Sequence, residues 1–308
     1  MIRVPGPTRL AVFAAAALAA QASAPATAQQ RSWGQSTMEQ EAGDGAASAF
    51  PLPSGTAVER DIAYGEHRLQ KIDVYRPERA RDAPIIVMVH GGAWRLGQKS
   101  ASRVVRNKVA HWVGQGWILV SVDYRLLPEA KPVEQARDVA RALSFVQGHA
   151  KDWGGDASRI VLMGHSSGAH LAALLAADAE LGASAGLKPW RATVAIDSAA
   201  FDVDAIMQGR HFGFYDSAFG ARAEDWRAAS PLHRLSRALP MPLLAVCSSR
   251  RSDSCPQAQA FAAKASAMGG RVTVQAEDLS HGELNDRLGA PGAYTDRVDA
   301  FLRSAGLP

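Results

Sequence analysis

The five residues Gly164-His165-Ser166-Ser167-Gly168 are where this sequence most plainly offers chemistry. The apolar run Ile160 to Met163 precedes them, and the small apolar stretch Ala169 to Leu175 follows. A Gly-x-Ser-x-Gly pattern in that setting predicts a sharp turn from strand to helix. At its apex a hydroxyl stands above the strand ends, while Gly164 and Gly168 remove side-chain bulk where neighbouring backbones crowd. The first N–H groups of the following helix point towards negative charge formed at the reaction centre. The arrangement suits attack by Ser166 on an acyl carbonyl. His165 adjoins the serine, but a sharp turn directs its side chain away, and His170 reads as a packing residue.

A serine hydroxyl needs a base to accept its proton, and that base needs an acid to orient it. After a turn of this kind the expected chain order is serine, acid, histidine. His281 has that order, following the apolar run Val272 to Gln275, whereas His149, His211 and His233 lack the final strand-to-loop placement. The acid has two strong candidates. Asp253 comes after the apolar run Leu243 to Cys247, and Asp197 comes directly after Thr193 to Ile196. Asp202 and Asp204 are weaker.

The elements that must position these groups alternate in type. Seven short apolar runs predict strands: Ile72 to Tyr75, Ile85 to His90, Trp117 to Asp123, Ile160 to Met163, Thr193 to Ile196, Leu243 to Cys247 and Val272 to Gln275. Several are nearly unbroken Val, Ile, Leu and Met, as befits strands covered on both faces. Between them lie helical patterns. Pro132 opens one whose apolar positions include Val133, Ala136, Val139, Ala140, Leu143 and Val146; Ser167 to Ala177 and Ala293 to Ala305 are others. The fold class is therefore α/β, a mostly parallel sheet flanked by helices. Ala199 to Arg237, with Phe212, Phe214, Tyr215 and Phe219, is expected to form a small partial cap.

The chain has 308 residues, 47% of them hydrophobic, which suits one large domain over residues 55–308. Arg3 and Arg9 precede a short apolar run, with small residues around positions 22 and 28. Residues 1–28 are thus expected to be a signal peptide cleaved after residue 22 or 28, directing the protein to the periplasm or out of the cell. Residues 29–54, rich in Ala, Gly, Ser, Gln and Glu, read as a flexible lead-in. Cys247 and Cys255 are close enough in sequence for a local disulfide in an oxidising compartment. The formal charge of +4 comes without a basic stripe or a stacking motif, which speaks against nucleic-acid binding. Stable membrane insertion after cleavage is not expected, and the pattern leaves the oligomeric state open.

A further motif, His90-Gly91-Gly92-Ala93-Trp94 followed by Gly97, resembles the His-Gly-Gly loop of the α/β-hydrolase superfamily. It looks particularly like the carboxylesterase and feruloyl or acetyl esterase branch related to arylformamidases. Asp123-Tyr124-Arg125-Leu126, Trp153-Gly154-Gly155-Asp156 and Ala229-Ser230-Pro231 match as well, so the resemblance runs from about residue 72 to 302. It implies oxyanion donors at Gly92, Ala93 and Ser167. Asp253 matches the acid of the family's Asp-x-x-Pro loop, with Asp197 as rival, and His281 matches its late His-Gly. Trp94, Tyr124, Phe212 and Tyr215 are expected near substrate, with structural roles as the competing reading. His90 is expected to tie the loop's backbone together.

The implied activity is a serine carboxylesterase acting on a small-molecule or carbohydrate-linked ester, small or aromatic, through an acyl-enzyme. It requires no cofactor or metal. An arylformamidase or other amidase would use the same residues, and a non-catalytic esterase-like binding protein is the alternative of a different class.

Overall fold

A computed structural model describes residues 1–2 and 50–308. The expected signal peptide and most of the lead-in therefore lie outside the described residues. One eight-stranded sheet runs in the order β1-β2-β4-β3-β5-β6-β7-β8. Its strands are β1 (Thr56–Ala63), β2 (Lys71–Pro77), β3 (Ala83–Val89), β4 (Ile118–Val122), β5 (Gly155–His165), β6 (Ala192–Ile196), β7 (Leu243–Ser248) and β8 (Val272–Glu277). β1 with β2 and β2 with β4 pair antiparallel; every other pairing is parallel. This mostly parallel sheet between helices is the α/β-hydrolase architecture.

All seven expected strands form, as β2 to β8. β3, β4, β6 and β7 are buried along their whole length, because helices cover both faces. β1 was not anticipated: Thr56–Ala63 is an edge strand with no buried residue, so it has no apolar run to betray it.

Alternate residues of each strand feed two cores, one on each face. Ile85, Val87 and Val89 face α2 (Pro132–His149) and α3 (Ser167–Ala177), while Ile86 and Met88 belong with α1 (Ser102–Trp112) and α6 (Ala293–Ser304). In α2, Val139, Leu143 and Val146 are fully buried. Each such side chain contributes about 1.5–3 kcal/mol relative to exposure. All of α3 is buried, and its Ala-rich composition lets it lie close to β5 and β6. The remaining longer elements are α4 (Ser254–Ala267) and α5 (His281–Arg287). Four short helices, Val203–Gln208, Gly213–Phe219, Ala223–Ala228 and Pro231–Arg234, fill the connection from β6 to β7 and make the partial cap.

Candidate active site

Ser166 occupies the turn between β5 and α3 with φ 55° and ψ −120°, outside the usual regions for a residue with a Cβ. The surroundings hold it there. Its N–H donates to Ile196 O at 2.9 Å, and its carbonyl accepts from His170 N at 3.1 Å, the first turn of α3. The two glycines are required by close approach. A Cβ on Gly164 would lie 2.3 Å from Gly168 O, and one on Gly168 would lie 2.4 Å from the carbonyl oxygens of both Val89 and His90. The second contact seats the start of α3 directly against the His90 to Trp94 loop.

That loop turns through three successive positive φ values, 125° at Gly92, 49° at Ala93 and 61° at Trp94. Gly92 O accepts from Arg95 N and Leu96 N. Among the described residues no hydrogen bond occupies the amides of Gly92 or Ala93. Ser167 heads α3, where a helix leaves its first amides unpaired. Gly92 and Ala93 on this loop and Ser167 at the head of α3 thus offer backbone donors from two adjoining turns.

The loop is braced from below. The Tyr124 hydroxyl donates to His90 O at 2.9 Å, and its ring stacks on the His90 imidazole with centroids 4.5 Å apart. His90 Nδ1 is 2.6 Å from Gly91 O, and Nε2 is 3.5 Å from Asp123 Oδ1. His90 is thus a brace, as its sequence position suggested.

Trp94 and Tyr124, expected near substrate, are both buried with their polar groups bonded inside the protein. Tyr124 is fully buried with its hydroxyl committed to His90, and Trp94 is 3% exposed with its indole N–H given to His170 Nδ1 at 3.1 Å. The tryptophan ring packs into a cluster with His170, Tyr215 and Phe219. Tyr215 is buried too, whereas Phe212 is half-buried and stacks on Phe214 at 5.7 Å. His170 donates from Nε2 to Ala229 O at 2.7 Å, which leaves Nδ1 to accept from Trp94. Complete burial lowers the His170 pKa to about 4, against a smaller opposing effect from the bond to Ala229, so the ring is neutral.

His281 is the first residue of α5, entered through a capping box in which Ser280 and Glu283 satisfy each other's backbone N–H. Its carbonyl accepts from His165 Nε2 at 3.0 Å, and the two rings lie 4.5 Å apart. His165, the neighbour of Ser166, thus fastens the His281 turn to the serine turn. The acid at His281 is Asp197. Its Oδ2 accepts from His281 Nδ1 at 2.6 Å, which leaves Nε2 as the ring's proton acceptor.

Asp253, the acid expected from the loop match, does not make this contact. Its carboxylate is 43% exposed and is held by Arg251, Nε to Oδ1 at 3.0 Å and Nη2 to Oδ2 at 3.1 Å. The difference has a local cause. Asp253 is the residue before α4, and its side chain is directed along the loop to Arg251, while Asp197 leaves the end of β6 with φ 53°, its N–H on Val246 O at 2.7 Å.

Asp197 is buried and fully bonded. Oδ1 accepts from Ser248 N at 2.8 Å and Ser254 Oγ at 2.5 Å, and Oδ2 accepts from Arg251 Nη1 at 2.9 Å besides His281. Burial alone would raise its pKa. Arg251, His281 and Ser254 outweigh that and hold the carboxyl well below the usual range, so it is ionised. Arg251 and Ser254 are contributors that sequence reasoning missed; the only signal was the pair of arginines beside Asp253. Cys247 and Cys255 form a disulfide, closing the loop that carries Ser248, Arg251 and Ser254.

The BD-FAE family model matches residues 72–209. The chain is 35% identical over 117 residues to an isoprenylcysteine alpha-carbonyl methylesterase of Arabidopsis thaliana, covering 38% of this chain and 27% of that one. It is 28% identical over 207 residues to esterase LipC of Mycobacterium tuberculosis, covering 62% of this chain and 50% of that one. The chain thus spans half or less of the length of these curated relatives. Among solved structures, esterase B of Lactobacillus rhamnosis superposes with a TM-score of 0.69 at 20% identity, covering 90% of this chain and 92% of that one.

Proposed function

We propose, from the premise that this chain is a carboxylesterase-like protein of the α/β-hydrolase superfamily, that it hydrolyses carboxylic esters with Ser166 as nucleophile, His281 as base and Asp197 as acid. The observation that carries the reading is the 2.6 Å contact between Asp197 Oδ2 and His281 Nδ1 at the strand ends that also bear Ser166. His281 Nε2 takes the proton as Ser166 Oγ attacks the acyl carbonyl, and Asp197 steadies the imidazolium. The amides of Gly92, Ala93 and Ser167 receive the oxyanion. His281 then gives its proton to the leaving alcohol, an acyl-serine remains, and water activated by His281 releases the acid.

The half-buried rings of Phe212 and Phe214 favour small or aromatic esters by offering apolar contact at the cap. Two further parts of the proposal concern setting. Residues 55–308 act as one catalytic domain, and the protein works outside the cytoplasm, a location that the Cys247–Cys255 disulfide suits.

A fluorophosphonate probe tests the reading. Labelling of the wild type and not of Ser166→Ala is expected; equal labelling of both, or none of the folded wild type, would overturn it. Comparing acetyl, feruloyl and N-formyl aromatic substrates on the unlabelled wild type then ranks esters against amides.

A further inference from the structure

The Asp197–His281 pair has an unusual neighbour. Arg251 is a full cation with a side chain only 6% exposed, and it lies against the same carboxylate oxygen that receives the imidazole N–H. Its Nη1 also approaches Asp197 O at 3.3 Å and His281 Nδ1 at 3.0 Å. With Nδ1–H donated to Asp197, the approach of Nη1 to Nδ1 sets donor beside donor. Its electrostatic sense is repulsion between the guanidinium and any positive charge on the ring. On its other edge Arg251 makes a two-pronged pair with Asp253.

We propose that Arg251 is a positioning residue that fixes the Asp197 carboxylate and sets the lowest pH at which His281 can serve as base, with Asp253 moderating its charge. This rests on the reading that Asp197 and His281 work together. A buried cation about 3 Å from the imidazole opposes its protonation and keeps the ring neutral to lower pH. Asp253 counters part of that field because both of its oxygens lie on the guanidinium.

The other charged or titratable groups around His281 are differently placed. His165 lies with its ring tilted 38° to that of His281 at 4.5 Å and donates to its backbone, while His90 and Arg103 line the small cavity beside it. Arg250, Asp278 and Glu283 pair with one another on the exposed side. Tyr215 adds to the field at Arg251. None of these touches Asp197 Oδ2 among the described contacts, where Arg251 Nη1 stands beside His281 Nδ1.

The test is the pH profile of kcat/KM for the wild type, Arg251→Gln, Arg251→Lys and Asp253→Asn, with near-UV circular dichroism as the check on folding. Removing the guanidinium is expected to move the acid limb to higher pH by about one unit, a tenfold change in the balance of ring states. Arg251→Lys restores part of it. Asp253→Asn leaves the cation unmoderated and moves the limb the opposite way, to lower pH, with KM changed less than about twofold. Acid limbs that stay in place, or that move together in Arg251→Gln and Asp253→Asn, would overturn the proposal. If Arg251→Gln does not fold, the direction of the Asp253→Asn shift decides alone. Failure of the underlying reading looks different: Asp253→Asn would then lose turnover by about a thousandfold or more while Asp197→Asn kept it.

Discussion

Asp197 Oδ2 and His281 Nδ1 stand 2.6 Å apart across 84 residues of sequence, and the aspartate is the more deeply buried of the two. A carboxylate there must stay ionised without water, and the four donors around it provide for that. Asp197→Asn is expected to lower kcat by about 10³ to 10⁴, because an amide can present its N–H to the ring and favour the wrong tautomer. Asp253→Asn should stay within about tenfold of wild type. Steady-state kinetics on both variants separates the two aspartates directly.

Tyr124 offers a test of the brace beneath the oxyanion loop. Tyr124→Phe keeps the ring stacked on His90 but removes the 2.9 Å bond to His90 O, leaving a buried carbonyl unpaired. A loss of about 1–3 kcal/mol in stability is expected. kcat should fall more than KM rises, since the amides of Gly92 and Ala93 matter most when charge has developed. Urea unfolding and initial rates measure the two effects; unchanged kcat would mean that the loop holds its shape without the hydroxyl.

Acid stability should carry the signature of His170. The folded ring titrates near 4 and an unfolded histidine near 6.5, so between those values the unfolded chain binds more protons. Stability therefore falls as the pH drops through this window, by up to about 3 kcal/mol from this group. His170→Gln should flatten melting temperature against pH between about 4 and 6.5. Asp197 acts further down: its contribution is complete above the unfolded value of 3.8 and is lost as the pH falls below it.

The disulfide predicts an ordered loss on reduction. Cys247 is the penultimate residue of the buried strand β7 and Cys255 lies in the first turn of α4, so the bridge holds Ser248, Arg251 and Ser254 around Asp197. Opening that short loop costs about 2 to 3 kcal/mol in chain entropy. Turnover should decline under reductant at temperatures where far-ultraviolet circular dichroism is still native. Activity and helicity lost together would show that the loop has no separate melting.

How far the sequence foretold this molecule varied with the kind of signal. Short apolar segments announced β2 to β8, while β1, lying exposed at the edge, carried no such segment. The turn at Ser166 and the strand-to-loop place of His281 were legible because local pattern specifies both. Which aspartate meets His281 was not, since Asp197 and Asp253 each follow a strand end and only the fold buries the one and turns the other to Arg251. Trp94 and Tyr124 stand next to the site in sequence, yet long-range partners, His170 and His90, draw their polar groups inward.

The hydrogen bonds from Ser166 N to Ile196 O and from Asp197 N to Val246 O continue the pairing of β5 with β6 and of β6 with β7. Ser166 and Asp197 are therefore spaced by the ladder of the sheet itself, a dimension that changes little from one sheet to another. The aromatic cap begins only beyond Asp197, as an insertion between two locked strands. The roof can therefore change shape while the sheet keeps the distance between Ser166 and Asp197 fixed.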